Sequence, residues 1–201
     1  GLLGIIDLLE STNLNKIQKQ YVEIIKNSGS SLLNIIRDIL DYSKIEKGEL
    51  NLEKKPFDLQ KSLSQIKALT YQQARDKGLS FTFEENVQLP KRLVGDSVRF
   101  SQILNNILNN AIKFTPSGKV KLQVNNLEDL GETQILTFQI SDTGVGINPE
   151  KLDRIFESFI QEQIDDKRKF GGFGLGLCIV KALTDLYGGS ISIQSKLGSG
   201  T

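Results

Sequence analysis

Arg99, Gln102, Asn106, Asn110 and Lys113 recur at i, i+3, i+7, i+11 and i+14. At ~100° per residue they lie along one side of a helix predicted for about residues 96–114. A solvent-facing line would more usually carry glutamate and lysine, because asparagine is a weaker helix former whose amide competes for backbone hydrogen bonds. Amide oxygens are hard ligands suited to Mg²⁺, amide NH₂ groups donate to phosphate, and Lys113 supplies positive charge at one end. The line therefore fits one wall of a polar site, with plain surface polarity the alternative on this helix alone. Ile103, Leu104, Ile107, Leu108, Ala111 and Ile112 form the other face and predict a buried contact. Asn105 and Asn109 lie off the polar line and receive no role.

Two glycine-rich segments bear on the same chemistry. In SDTGVGI, residues 141–147, Asp142 ends an apolar strand and offers a carboxylate acceptor, for which the exocyclic amine of adenine is a fitting donor. Gly144 and Gly146 permit close backbone approach there. In FGGFGLGLCIV, residues 170–180, Gly171, Gly172, Gly174 and Gly176 precede or open a helix, where free N–H groups and the helix dipole favour a phosphate. No strand feeds directly into these glycines and no lysine of the Walker type follows them. The dinucleotide-binding and P-loop arrangements are therefore excluded.

The elements that must position these residues follow from periodicity. From Ile17, positions Tyr21, Ile24, Ser28, Leu32, Ile35, Ile39 and Tyr42 lay an apolar stripe along a long helix. Leu2, Leu3, Ile5, Ile6, Leu8 and Leu9 precede it, and ESTNLN is the expected turn of a helical hairpin. Two helices bury too little alone, so self-association into a four-helix bundle is expected, with packing on the following unit the alternative. The expected organisation is a hairpin over 1–48, a linker over 49–57 containing Pro56, and a second unit over 58–201. The second unit reads as a helix at about 58–76, a strand LSFTFE, the asparagine helix, and two alternating strands centred on Leu122 and Phe138 with NNLEDLGE as their loop. A short helix from Pro149, a helix from about Gly174 to Tyr187 and a strand SISIQ complete it. The predicted class is α+β, a two-layer α/β sandwich preceded by the hairpin.

Composition removes several partner classes. The 201 residues carry 25 basic and 24 acidic side chains for a net charge of +1, so no global field calls for nucleic acid or an anionic membrane. One cysteine, Cys178, excludes an internal disulfide framework and fits a cytoplasmic setting. No apolar run approaches the roughly 18–20 residues of a membrane span. With no methionine at all, the chain is expected to be a segment of something longer, and any membrane anchor is expected outside it.

The order of the pieces carries a resemblance. Asn106-x-x-x-Asn110-Ala, Asp142-x-Gly144-x-Gly146, Phe156-x-x-Phe159, Gly172-x-Gly174-x-Gly176-Leu and Gly198-x-Gly200-Thr201 resemble, in order, the N, G1, F, G2 and G3 boxes of sensor histidine kinases. DILDYSKIEKGEL followed by PFDL is similar to the join between the dimerisation helices and the ATP-binding domain of that family. The resemblance covers almost the whole chain and implies a Bergerat-type sandwich that binds Mg-ATP, attached to a homodimeric four-helix bundle. By it, Asp142 reads adenine, Asn110 binds Mg²⁺, and Asn106 and Lys113 contact phosphates or the ion. Phe114, Gly144, Gly146, Ile147, Phe156, Phe159, Gly172, Gly174, Leu175, Gly176, Leu177 and Thr201 complete the implied nucleotide site. Residues 157–173 form a lid in which Arg168 meets the γ-phosphate.

Hydrolases of the same superfamily, including DNA gyrase and heat-shock chaperones, carry glutamate where this chain has Asn106. A neutral amide cannot act as general base, so water attack is disfavoured and the γ-phosphoryl is kept for another acceptor. The implied acceptor is a histidine, with relay to the aspartate of a response-regulator receiver. This chain has no histidine, and the family's acceptor sits just before the segment resembling GLLGIIDLLE, so it is expected upstream of residue 1. The alternative is a non-catalytic dimeric nucleotide-binding scaffold. Phe173 stands where the family often has threonine or serine, and the sheet's last strand is expected beyond Thr201.

Overall fold

The structure is a computed structural model that describes residues 2–129, 134–158 and 174–201. It divides into two units, Gly1–Leu50 and Asn51–Thr201.

The first unit is a helical hairpin, α1 (Leu2–Glu10) and α2 (Lys16–Glu46). Asn15 starts α2 through a reciprocal cap: its side chain accepts the Gln18 N–H at 2.9 Å, and the Gln18 side chain accepts the Asn15 N–H at 2.9 Å. Lys26 ties the helices together by pairing with Asp7 at 3.0 Å and Glu10 at 2.6 Å. These pairs are exposed and screened by solvent, so they add little to stability. Ile6 and Val22 are buried, yet Tyr21, Ile24, Leu32 and Ile39 remain largely exposed.

The second unit holds β1 (Lys55–Asp58), α3 (Leu59–Asp76), β2 (Ser80–Glu85), β3 (Arg92–Gly95), α4 (Ser97–Phe114), β4 (Lys119–Asp129), β5 (Gln134–Asp142), α5 (Pro149–Leu152) and α6 (Gly176–Leu186). In the three-stranded sheet β4 is central, parallel to β2 and antiparallel to β5. A second small sheet pairs β1 with β3 antiparallel. The helical layer packs on the large sheet: Leu59, Leu63 and Ile66 of α3, Leu104 and Leu108 of α4, and Val120, Leu122 and Val124 of β4 form one buried cluster. Each fully buried aliphatic side chain contributes about 1.5–3 kcal/mol by leaving water. Phe100 bridges the layer edge, with its ring 6.0 Å from Phe57 and 5.4 Å from Phe138.

Capping fixes α4, which carries the polar line, at both ends. Asp96 Oδ1 accepts the Val98 and Arg99 N–H groups at 3.1 Å each, and the Tyr187 hydroxyl donates to Asp96 O at 2.6 Å. At the other end Lys77 Nζ donates to Ile112 O at 2.6 Å and Lys113 O at 2.7 Å, placing a cation on the helix's negative pole.

Three local expectations give way. Residues 55–58, assigned by sequence to linker and helix entry, form β1, because a two-stranded sheet tolerates a proline that gives no N–H. The expected loop NNLEDLGE is shorter, since β4 runs on to Asp129 across a register shift between Asn125 and Leu127. The SISIQ segment alternates correctly but has no ladder partner among the described residues, where Lys196 and Gly200 form an isolated bridge. Alternation specifies a face, whereas a strand needs a neighbour.

Candidate functional site

Four segments converge: the C-terminal half of α4, the turn after β5, the start of α6, and the loop leading to Thr201. Asn106 and Asn110 are half-buried, as are Lys113 and Phe114. The Asn106 amide donates to Gly176 O at 3.4 Å, joining α4 to the first residue of α6. The Asn110 amide makes no hydrogen bond to the protein among the described residues, although it is half-buried. Lys113 Nζ lies 4.7 Å from the centre of the Phe114 ring, and burial lowers its pKa from the ordinary lysine value.

The turn after β5 closes on the end of α4. Val145 N–H donates to Phe114 O at 3.1 Å, and Asp142 Oδ1 accepts the Gly144 N–H at 2.7 Å. A Cβ on Gly144 would collide with Phe114 O and stand 2.7 Å from Asp142 Oδ1, so glycine is needed there for close approach. Burial pushes the Asp142 carboxyl up from its usual range, while hydrogen bonds from the Gly144 and Thr201 backbones and the Thr115 hydroxyl pull it partly back. A half-buried carboxylate that keeps acceptor capacity at the end of a strand is suited to a neutral donor.

The last loop completes the enclosure. Asp142 N–H donates to Thr201 O at 2.9 Å and Gly198 N–H to Val145 O at 2.7 Å. Ser195 Oγ accepts the Ile147 N–H at 2.8 Å. Gly200 has φ 102°, a left-handed conformation that a side chain resists, and a Cβ there would strike Asp142 O. Leu175 is buried at the start of α6, Leu177 is half-buried, and Gly174 before them has φ 72°. Phe156 is half-buried just beyond α5.

Asp142, Gly144, Phe114 and Thr201 are thereby brought together around one turn, and Asn106 meets Gly176. Phe159, Arg168 and Gly172, with residues 159–173 of the expected lid and Phe173 among them, lie outside the described residues. Ser195, Thr115 and Lys77 were missed by sequence reading. Thr115, fully buried, donates to Ala111 O at 2.7 Å and also reaches Asp142. No spacing signals these three, since their partners are mostly main-chain atoms.

No group of three or more His, Cys, Asp or Glu that could hold a metal occurs among the described residues. An ion here would be held by amide and ligand oxygens, and the half-buried Asn110 amide, without a protein hydrogen bond among the described residues, fits a hard cation such as Mg²⁺.

Comparison with known proteins places this geometry. Residues 95–201 match the family model described as histidine kinase-, DNA gyrase B- and HSP90-like ATPase, and residues 1–48 match the His Kinase A (phospho-acceptor) domain. The autoinducer 2 sensor kinase/phosphatase LuxQ of Vibrio parahaemolyticus is 39% identical, covering 100% of this chain and 24% of that protein. The histidine-protein kinase BarA of Escherichia coli is 37% identical, covering 100% of this chain and 22% of that protein. The chain thus spans 24% and 22% of the length of these relatives. Full-length ShkA in complex with AMPPNP superposes with a TM-score of 0.75 at 34% identity, covering 98% of this chain and 40% of that chain. The catalytic domain of the histidine kinase ThkA gives 0.60 at 25% identity, covering 74% and 91%. The chain therefore belongs to the sensor histidine kinases, with a catalytic domain of the histidine kinase-, DNA gyrase B- and HSP90-like ATPase family.

Proposed function

We propose that this chain binds Mg-ATP in its second unit and serves to transfer the γ-phosphoryl to a histidine outside these residues, for relay to the aspartate of a response-regulator receiver. Asp142 accepts the exocyclic amine of adenine, and Thr201, Gly144, Gly146 and Ile147 frame the base. Leu175 and Leu177, with Phe114, Phe156 and Phe159, enclose the nucleotide, and Gly172, Gly174 and Gly176 admit the phosphates. Lys113 and Arg168 contact the triphosphate. Asn110, with Asn106, holds Mg²⁺. The ion, when bound, neutralises charge on the phosphate oxygens. In the transfer the bond from the γ-phosphorus to the bridging oxygen breaks, ADP leaves with that electron pair, and an imidazole nitrogen forms the new bond and gives up its proton.

Asn106 carries this reading. Its amide, turned to Gly176 O at 3.4 Å, cannot take a proton from water. The position supports transfer over hydrolysis, because positioning and charge neutralisation remain while the base for water is missing. The first unit, Gly1–Leu50, supplies the homodimerisation hairpin, and the second, Asn51–Thr201, with β1 included, the catalytic unit. No described helix is long and apolar enough to cross a membrane. We place the catalytic unit in the cytoplasm, with any anchor in other segments of the parent protein.

Calorimetric titration of the chain with a non-hydrolysable ATP analogue and Mg²⁺ tests this. Saturable binding at roughly micromolar to sub-millimolar strength is expected, about −8 to −5 kcal/mol, and weakened in Asn110→Ala. A folded chain that binds no nucleotide refutes the reading.

A further inference from the structure

The last four carbonyls of a helix have no partner within it, and in α4 these belong to Ala111, Ile112, Lys113 and Phe114. All four are answered by donors from beyond the helix. The Thr115 hydroxyl donates to Ala111 O at 2.7 Å, the Thr115 N–H to Ile112 O at 3.4 Å and the Val145 N–H to Phe114 O at 3.1 Å. Those donors are neutral. Lys77, which caps the end of α3, brings a charge: its ammonium donates to Ile112 O at 2.6 Å and to Lys113 O at 2.7 Å.

The need for a charge follows from what the site would hold. Aligned peptide dipoles leave about half a negative charge at the C-terminal end of a helix and the opposite at its N-terminal end. Anions therefore gather at N-termini. The candidate site meets one pole of each sign. The start of α6 at Gly176, joined to Asn106 at 3.4 Å, offers the favourable pole. Asn110 and Lys113 stand near the C-terminal end of α4, so phosphates held by them lie close to the unfavourable one.

We propose, on the basis of the ATP-binding reading, that Lys77 is a positioning residue that makes the end of α4 fit for a polyanion, by cancelling the negative pole beside which Asn110 and Lys113 hold the phosphates. With two of its three protons given to carbonyls, Lys77 acts through the helix. Its contribution grows with the charge of the ligand, so a triphosphate gains more from it than a diphosphate does. A donor that merely steadied the helix would serve both nucleotides alike.

The test is calorimetric titration of the full chain with a non-hydrolysable ATP analogue and with ADP, each with Mg²⁺, for the wild type, Lys77→Met, Lys77→Gln and Lys77→Arg. Lys77→Met is expected to weaken the ATP analogue about two- to fivefold, the range one charge at a helix terminus supplies. ADP should weaken less, and the difference should shrink as salt is raised. Lys77→Gln, which keeps a donor without the charge, should behave as Lys77→Met, and Lys77→Arg, which keeps both, should stay near the wild type. Equal weakening of both nucleotides by Lys77→Met, unchanged affinities in it, recovery by Lys77→Gln, or loss in Lys77→Arg overturns the inference while leaving the ATP-binding reading intact. A wild type that binds neither nucleotide overturns both. Should Lys77→Met fail to fold, Lys77→Gln decides: a ratio of ATP-analogue to ADP affinity equal to that of the wild type overturns the inference.

Discussion

Replacing Asp142 by asparagine separates recognition from stability at nearly constant shape. The carboxylate Oδ1 accepts the Gly144 N–H at 2.7 Å, and the amide oxygen of the substituted side chain would keep that bond. Its NH₂ group then takes the position of the second carboxylate oxygen and presents hydrogens to the hydrogens of the base. The nucleotide loses one charge-assisted hydrogen bond, worth about 1.5–3 kcal/mol, or roughly a 10- to 150-fold rise in Kd. Burial is the leading influence on this carboxyl and raises its pKa, so the charge is unfavourable in the unliganded fold and a neutral amide relieves it. Asp142→Asn should therefore bind a non-hydrolysable ATP analogue more weakly while its ligand-free Tm is unchanged or higher. Titration calorimetry and thermal unfolding read the two quantities separately. A Tm that falls together with affinity would show that the aspartate serves the fold, and unchanged affinity would remove it from the site.

Three further outcomes are expected. Because the folded pKa of Asp142 is raised above 3.8, nucleotide affinity should fall as pH drops through that raised value, whereas the ligand-free protein gains this group's stability over the same descent and holds it fully below the unfolded pKa; Asp142→Asn should abolish both dependences in pH-resolved calorimetry and melting. Lys77→Met removes the bonds to Ile112 O and Lys113 O at 2.6 and 2.7 Å, costing about 1 kcal/mol and about 2–4 °C in Tm by calorimetric melting. Ile24→Glu with Leu32→Glu places charge on a stripe that is 60% and 57% exposed at these residues, and should convert a dimer to monomer in sedimentation without loss of helix content.

The sequence made α4 legible because two signals coincide on it, an apolar face and a polar line that cannot both be accidental over so many turns. Asp142, Gly144 and Gly146 were legible for a related reason: a strand's apolar alternation ends on a carboxylate and glycines follow at once. Ser195 was not, because a serine in QSKLGSGT is ordinary until Ile147 and Gly200 are brought to it by the tertiary fold. Lys77 was equally silent, since it acts on carbonyls of α4 that every helix possesses. The strand β1 was hidden by Lys55 and Pro56, residues that argue against a central strand but are permitted in a two-stranded pair. In β4, Asn125 and Glu128 read as loop residues, yet pairing across from Thr137 and Ile135 carries them into the ladder. Local preference was overruled there by a neighbour the sequence does not mark.

The central place of β4 also imposes an order of assembly. Its partner β5 follows almost at once, so their hairpin can close on a scale of roughly 1–10 μs. Its other partner, β2, ends at Glu85, and β3 and the whole of α4 intervene before Lys119. Closing that longer span costs more chain entropy before any contact rewards it, so the parallel edge forms late. Until it does, Val120, Leu122 and Val124, all finally fully buried, stand on a strand with one unpaired edge. The chain should refold with yields that fall as its concentration rises, since a second copy can offer that edge what β2 has not yet supplied.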